Sequence, residues 1–141
     1  MLKLLVAVDG SENGLRAVRH VADLARRGIR VEAVLLNVQP PVMSGEVGAI
    51  APAELAEEVR AAASAEALRT ARALLAEAPV PAVEQVATGD PAQAIVSAAE
   101  AARCDGIVIG RRGLGLVASL ALGSVSSQVL RLATLPVTVV K

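Results

Sequence analysis

Aromatic side chains are absent: the 141 residues include no Trp, Tyr or Phe. Any core must therefore be built from Val, Leu, Ile and Ala. Cysteine is almost absent too, and the single Cys104 excludes an internal disulfide and any multi-cysteine metal site. His20 is the single histidine, and neither H-E-x-x-H nor G-x-x-x-x-G-K-[ST] occurs. No sign of charge dominates, because 14 basic residues offset 14 acidic ones. That balance excludes a broad basic nucleic-acid footprint. It also keeps repulsion between copies weak, which tolerates self-association. Long apolar runs are missing as well. Lys3 is followed by only a short apolar stretch before Asp9, which does not read as a signal peptide. The uncharged residues 114–130 fall short of a membrane span and contain two glycines, four serines and Gln128. The expectation is a cytoplasmic chain with neither a membrane nor a nucleic-acid partner.

Apolar residues make up 54% of the chain, enough for one full domain over residues 1–141. Residues 2–8 (L-K-L-L-V-A-V) barely alternate and read as a strand buried on both faces. Asp9-Gly10-Ser11 is turn chemistry, with Ser11 as a candidate N-cap. A helix follows over 12–27, with Leu15, Val18, Val21, Ala22 and Ala25 on one face and Gly28 as its stop. A second strand covers 30–38. Residues 39–52 hold three prolines and two glycines and read as a long loop, either a lid or a surface insertion. Ala-, Glu- and Arg-rich residues 53–78 predict a long helix whose charges form a solvated face, with Glu66 beside Arg69. A weak third strand over 83–87 precedes Gly89-Asp90-Pro91, which supplies a turn, an N-cap and a proline at the first helical position. A helix over 92–102, a strand over 106–109, a helix over 124–133 and a strand over 136–140 complete the pattern. Five strands alternating with helices predict an α/β fold with a mostly parallel sheet between helix layers. Ligands of such sheets bind beyond the strand C-termini, where the winding reverses.

Residues 105–128 carry the densest chemical signal. The apolar run Ile107-Val108-Ile109 ends at Gly110, and Gly113 and Gly115 follow. Gly123-Ser124 then opens a helical pattern. A buried strand, a glycine loop and a helix start are the parts of a phosphate cradle. Glycine lets the backbone approach a ligand, and the unpaired N–H groups of a helix start attract anions.

The spacing Gly110-x2-Gly113-x9-Gly123-Ser124 resembles the nucleotide signature of the universal stress protein family. The likeness runs along the whole chain: V-A-V-D-G-S after the first strand, N-V ending the second, G-D-P before the third helix, and P-V-T-V-V at the end. It implies a Rossmann-like open sheet of five parallel strands in the order 3-2-1-4-5 with helices on both faces. It also implies a homodimer joined through the C-terminal strand and, because the glycine pattern is kept, membership of the ATP-binding subgroup. By the same resemblance Gly110, Gly113, Gly115, Gly123, Ser124 and Val125 hold ribose and phosphates. Ala7 and Asp9 line the site, Val38 meets adenine through its backbone, and Ile109 closes the apolar side. Without aromatics, adenine must lie between aliphatic side chains.

Bland readings stand beside these. Asp9 repels a triphosphate unless it accepts a hydroxyl hydrogen bond or holds Mg²⁺; otherwise it is a turn residue bonding its own backbone. The signature glycines can serve tight packing without a ligand. Arg111 and Arg112 depart from the serine/threonine-x-histidine wording common in the family. They either fork onto phosphate or form a solvated pair. Residues 116–122 are uncharged where many relatives carry Lys or Arg, which points to cover by another protomer. His20 reads as a surface residue and Cys104 as a small packed one.

The expected function is a stress-response regulator that binds ATP, with ADP or AMP as alternatives, and alters contact with an unknown protein partner. A nucleotide-free dimeric interaction module is the rival. No general base or metal cluster is evident, so hydrolysis should lie well below the roughly 1–100 s⁻¹ of committed kinases. With no aromatics, the chain's own near-ultraviolet absorption is very weak. Protein purified without added nucleotide is expected to show an adenine-shaped band. That band should leave on unfolding and filtration and run as ATP, ADP or AMP on a column. A flat spectrum together with no binding at millimolar ATP overturns the expectation.

Overall fold

The alternation of apolar strands with helices builds nine elements among the described residues. They are β1 (Leu2–Ala7), α1 (Glu12–Arg26), β2 (Val31–Gln39), α2 (Ala53–Ala76), β3 (Ala82–Thr88), α3 (Pro91–Ala101), β4 (Gly106–Gly110), α4 (Ser124–Leu132) and β5 (Val137–Val140). The structure is a computed structural model that describes residues 1–39, 53–111 and 123–141. The strands form one sheet in the order β3-β2-β1-β4-β5, and every neighbouring pair is parallel. This is the expected α/β architecture and strand order.

Successive strand residues point to opposite faces, so the two halves of each apolar run enter different cores. Leu4, Val6 and Val8 pack with Val18 and Val21 of α1 and Leu68 and Leu75 of α2. Leu5 packs with Val34, Leu36, Ile107, Ile95 and Val96 of α3, and Val129 of α4. Each fully buried Val or Leu contributes about 1.5–3 kcal/mol by area. A one-residue slip of β1 would exchange the two faces, which fixes its register of Leu4 with Ala33 and Val6 with Leu35. No helix among the described residues is long and apolar enough to cross a membrane.

Several boundaries differ from the sequence reading, each for a local reason. Gln39 is the last residue of β2 rather than the start of a loop, and its carbonyl accepts from the Gly89 N–H at 3.1 Å. Helix α2 ends at Ala76, short of the expected 78. Pro79 disfavours the helical state in the residue before it, and the Ala78 and Val80 N–H groups both turn back to the Leu75 carbonyl. In α1 the fully buried set is Gly14, Ala17, Val18, Val21 and Ala22, with Leu15 and Ala25 only half-buried. Small residues dominate because α1 lies close to the sheet. β3 is longer than expected and pairs with β2 from Ala82 to Thr88. Its weak apolar pattern reflects an edge position that leaves Val83 and Val86 exposed.

The charged surface follows expectation. Glu66 and Arg69 pair at 2.5 Å on an exposed helix face, where such pairs are worth little. Arg19 donates to Glu12 and, with its positive charge, holds that carboxyl below the usual range. Cys104 is buried, and burial pushes its thiol up, as suits a packed residue. His20 is half-buried and belongs to neither core.

Among the described glycines, Gly110 leaves the least room for a side chain. A Cβ there would stand 2.1 Å from the Asn13 carbonyl oxygen and 2.6 Å from its carbon. Both atoms are backbone and cannot rotate away. Gly110→Ala is expected to destabilise the chain by about 1–3 kcal/mol, read as a lower urea midpoint. An unchanged midpoint would show that α1 can retreat from β4 without cost.

Candidate functional site

β1 and β4 are neighbours, yet their connections leave in opposite directions and to opposite faces of the sheet. The winding therefore reverses at their C-terminal ends, which is where open α/β sheets take ligands. A cleft of about 470 Å³ lies there. Ala7, Leu36, Val38 and Ile109 supply its strand walls, Pro91 and Ile95 its α3 wall, and Val125 its α4 wall. Asp9, Ser11, Asn13 and Ser126 supply its polar groups.

The turn Asp9-Gly10-Ser11 forms one rim. Gly10 has φ +85, a left-handed value that glycine adopts without steric cost. That geometry brings the Ser11 N–H to Asp9 Oδ1 at 2.9 Å and the Ser11 hydroxyl to the same oxygen at 2.5 Å. Ser11 also caps α1, accepting from the Gly14 N–H at 3.3 Å, as its place before the helix predicted. Asp9 therefore makes the local turn bonds of its bland reading, and both bonds fall on Oδ1. Gly14 is small because a Cβ there would meet Asp9 Oδ1 at 3.2 Å.

α4 forms the opposite rim. Asp90 caps α3 by accepting from the Gln93 N–H at 3.1 Å, with Pro91 in the first turn. Gly123 caps α4 with no side-chain bond. The first bond of α4 runs from the Ser127 N–H to the Gly123 carbonyl, so the amides of Ser124, Val125 and Ser126 precede the helical ladder. Two of those three residues line the cleft. The Ser126 hydroxyl donates to the Gly110 carbonyl at 3.0 Å and ties α4 to the end of β4. Uncapped amides and the helix dipole make this rim attractive to an anion.

Six of the residues expected from sequence line the cleft together: Ala7, Asp9, Val38, Ile109, Gly110 and Val125. Gly123 is half-buried at the α4 cap, and Ser124 is exposed beside it. Arg111 follows β4, its N–H donating to the Val140 carbonyl at 2.7 Å. Arg112, Gly113 and Gly115 lie outside the described residues, as do residues 40–52 and 116–122. Sequence reasoning missed Val8, Ser11, Asn13, Gly14, Leu36, Pro91, Ile95 and Ser126. Pro91 and Ile95 carried a usable signal, since α3 starts at the C-terminal end of β3 on the ligand side of the sheet. Among the described residues no three His, Cys, Asp or Glu side chains gather to hold a metal.

The profile of the universal stress protein family matches residues 1–141. The chain belongs to the universal stress protein family. A universal stress protein of Thermus aquaticus is 34% identical over 143 residues, spanning 98% of this chain and 97% of that one. Among solved structures, the family member from Archaeoglobus fulgidus in complex with dAMP is 26% identical, covers 100% of this chain and 98% of its own, and superposes with a TM-score of 0.70. A universal stress protein in complex with cAMP is also 26% identical, with 99% and 96% coverage and a TM-score of 0.69.

Within this universal stress protein fold, Ser11 joins the Asp9 turn to the start of α1. Ser11→Ala removes the hydroxyl's bond to Asp9 and the cap but keeps the N–H bond to Asp9, and is expected to cost about 1 kcal/mol, the usual value of an N-cap hydroxyl. Thermal unfolding checks this, and an unchanged Tm would mean that the cap is filled by another group.

Proposed function

We propose that the chain binds an adenine nucleotide in this cleft and acts as a stress-response regulator rather than as a committed enzyme. One observation carries the reading: an aliphatic slot that opens onto the N-terminus of α4, whose cap residue Gly123 has no side chain. The slot suits a base with no aromatic partner, its apolar walls being Leu36, Val38, Ile95 and Ile109. The helix start suits phosphate. The dAMP and cAMP carried by the two related structures support the same ligand class.

In this reading Val38 contacts adenine through its backbone. The amides at Gly123, Ser124 and Val125 hold phosphate together with Gly110, Gly113 and Gly115, and Arg111 and Arg112 add cationic contacts. Asp9 faces the ribose hydroxyls, or a Mg²⁺ ion that shares the phosphates, since Mg²⁺ is commonly held by one or two carboxylates plus phosphate oxygens. ATP is the ligand proposed from the glycine spacing. β5 is an edge strand, and its Val137, Val139 and Val140 are half-buried. An apolar edge of this kind favours pairing with a second copy, so we assign the homodimer contact to it. A cytoplasmic setting and a regulatory protein partner complete the proposal.

Calorimetric titration tests the central claim. ATP or AMP should bind with one site per chain. Gly113→Val should abolish that binding while circular dichroism stays native. A folded parent chain with no heat of binding at millimolar nucleotide overturns the proposal. A folded Gly113→Val variant of unchanged affinity overturns the glycine assignment.

A further inference from the structure

Asn37 is 1% exposed and sits near the C-terminal end of strand β2, yet it is absent from the cleft lining. Its neighbours Leu36 and Val38 face the cleft, so strand alternation sends Asn37 to the opposite face, toward α1 and α2. All of its bonding there is specific. Nδ2 donates to the Val8 carbonyl at 2.7 Å. Oδ1 accepts from the hydroxyl of Ser64, a residue of α2 only 3% exposed, at 2.7 Å, and from Gln39 Nε2 at 2.6 Å. Val8 is the residue immediately before Asp9, and the β1–β2 register ends at Ala7 with Leu36.

α2 also lies near the turn one residue beyond Asp9. A Cβ on Gly10 would meet the Ala67 Cβ at 3.8 Å. Ser64 and Ala67 are one helical turn apart on the buried face of α2. The helix therefore reaches Val8 indirectly, through the Ser64–Asn37 and Asn37–Val8 hydrogen bonds, and lies beside Gly10 at Ala67. Buried polar groups held on every side are rigid, because breaking one bond strands the others without water.

We infer that Asn37 and Ser64 are positioning residues for the cleft: from behind the sheet they set the Val8–Gly10 backbone, and through it the Asp9 and Ser11 rim. This rests on the nucleotide reading for its ligand but not for its geometry. Neither side chain reaches the ligand. Ser64 reports the placement of α2 to the site, and Asn37 transmits it across β2 to β1.

The test uses the full chain and variants that alter one bond each. Asn37→Asp keeps the acceptor for Ser64 and Gln39 but, when ionised, cannot donate to the Val8 carbonyl. Ser64→Ala removes the α2 hydroxyl, and Ser64→Thr restores it. AMP affinity is measured by calorimetry, and the amide signals of Asp9, Gly10, Ser11 and Gly14 by NMR without ligand. Asn37→Asp and Ser64→Ala are each expected to weaken AMP binding roughly tenfold, the scale of one hydrogen bond, and to shift those four amide signals. Ser64→Thr should restore both. If folded Asn37→Asp or Ser64→Ala binds AMP like the parent with the turn amides unmoved, the inference fails and the network serves stability alone. If Asn37→Asp does not fold, the Ser64 pair decides in the same way. A parent chain that binds no AMP overturns the nucleotide reading, while the amide signals still decide the positioning role.

Discussion

β4 ends with its backbone against the first turn of α1, where a Cβ on Gly110 would come within 2.1 Å of the Asn13 carbonyl oxygen. Much of the C-terminal edge depends on that closeness. Seating α1 there places its cap, Ser11, within reach of Asp9 on one rim. The Gly110 carbonyl, held at 3.0 Å by Ser126, draws α4 to the other rim. The cleft is the space left between a helix that must approach β4 and a helix that must start beside it. Glycine at position 110 is explained by this packing even with no ligand, and a ligand site at the same place adds a second reason for the same residue.

Polar satisfaction divides the molecule more sharply than charge does. Charges are balanced, and the ion pairs of Arg19 with Glu12 and Arg69 with Glu66 lie in solvent. There they contribute little and weaken further with salt. Among the described residues the buried polar ones are Asn37, Ser64 and Ser126, and all three hydrogen-bond near the C-terminal end of the sheet. Aliphatic side chains fill the remainder of the core. With no aromatic ring to bridge large gaps, close packing requires near approach of backbones, and Gly14, Ala17, Ala22 and Ala71 allow it.

Local signals made much of this structure legible in the sequence. Ser11 and Asp90 stand where a helix start needs an oxygen, and both cap. Gly28 stands where α1 stops and adopts φ +91. Unbroken apolar runs at β1 and β4 announced strands covered on both faces, and both are. The cleft was less legible. Ala7, Asp9, Val38, Ile109, Gly110 and Val125 were visible because strand ends and glycine spacings are visible. Asn13 and Ser126 were not, because nothing local distinguishes a helix residue that faces a cleft from one that faces a core.

By itself, the sequence determined periodicity, caps, turns and composition: an α/β chain with an aliphatic core, balanced charge and a glycine cluster after the fourth strand. These follow from short-range sterics and hydrogen bonding, which act within a few residues. Tertiary structure alone decided which face each helix covers, that β3 is an exposed edge, and that Asn37 reaches across to Val8 while Ser64 closes the bond from 27 positions away. Such contacts depend on how the crossovers bring distant strands together, and no local pattern records the partner of a buried amide. The reason is physical: hydrogen bonds and packing contacts are satisfied in space, and sequence separation does not enter their energy once the chain has folded.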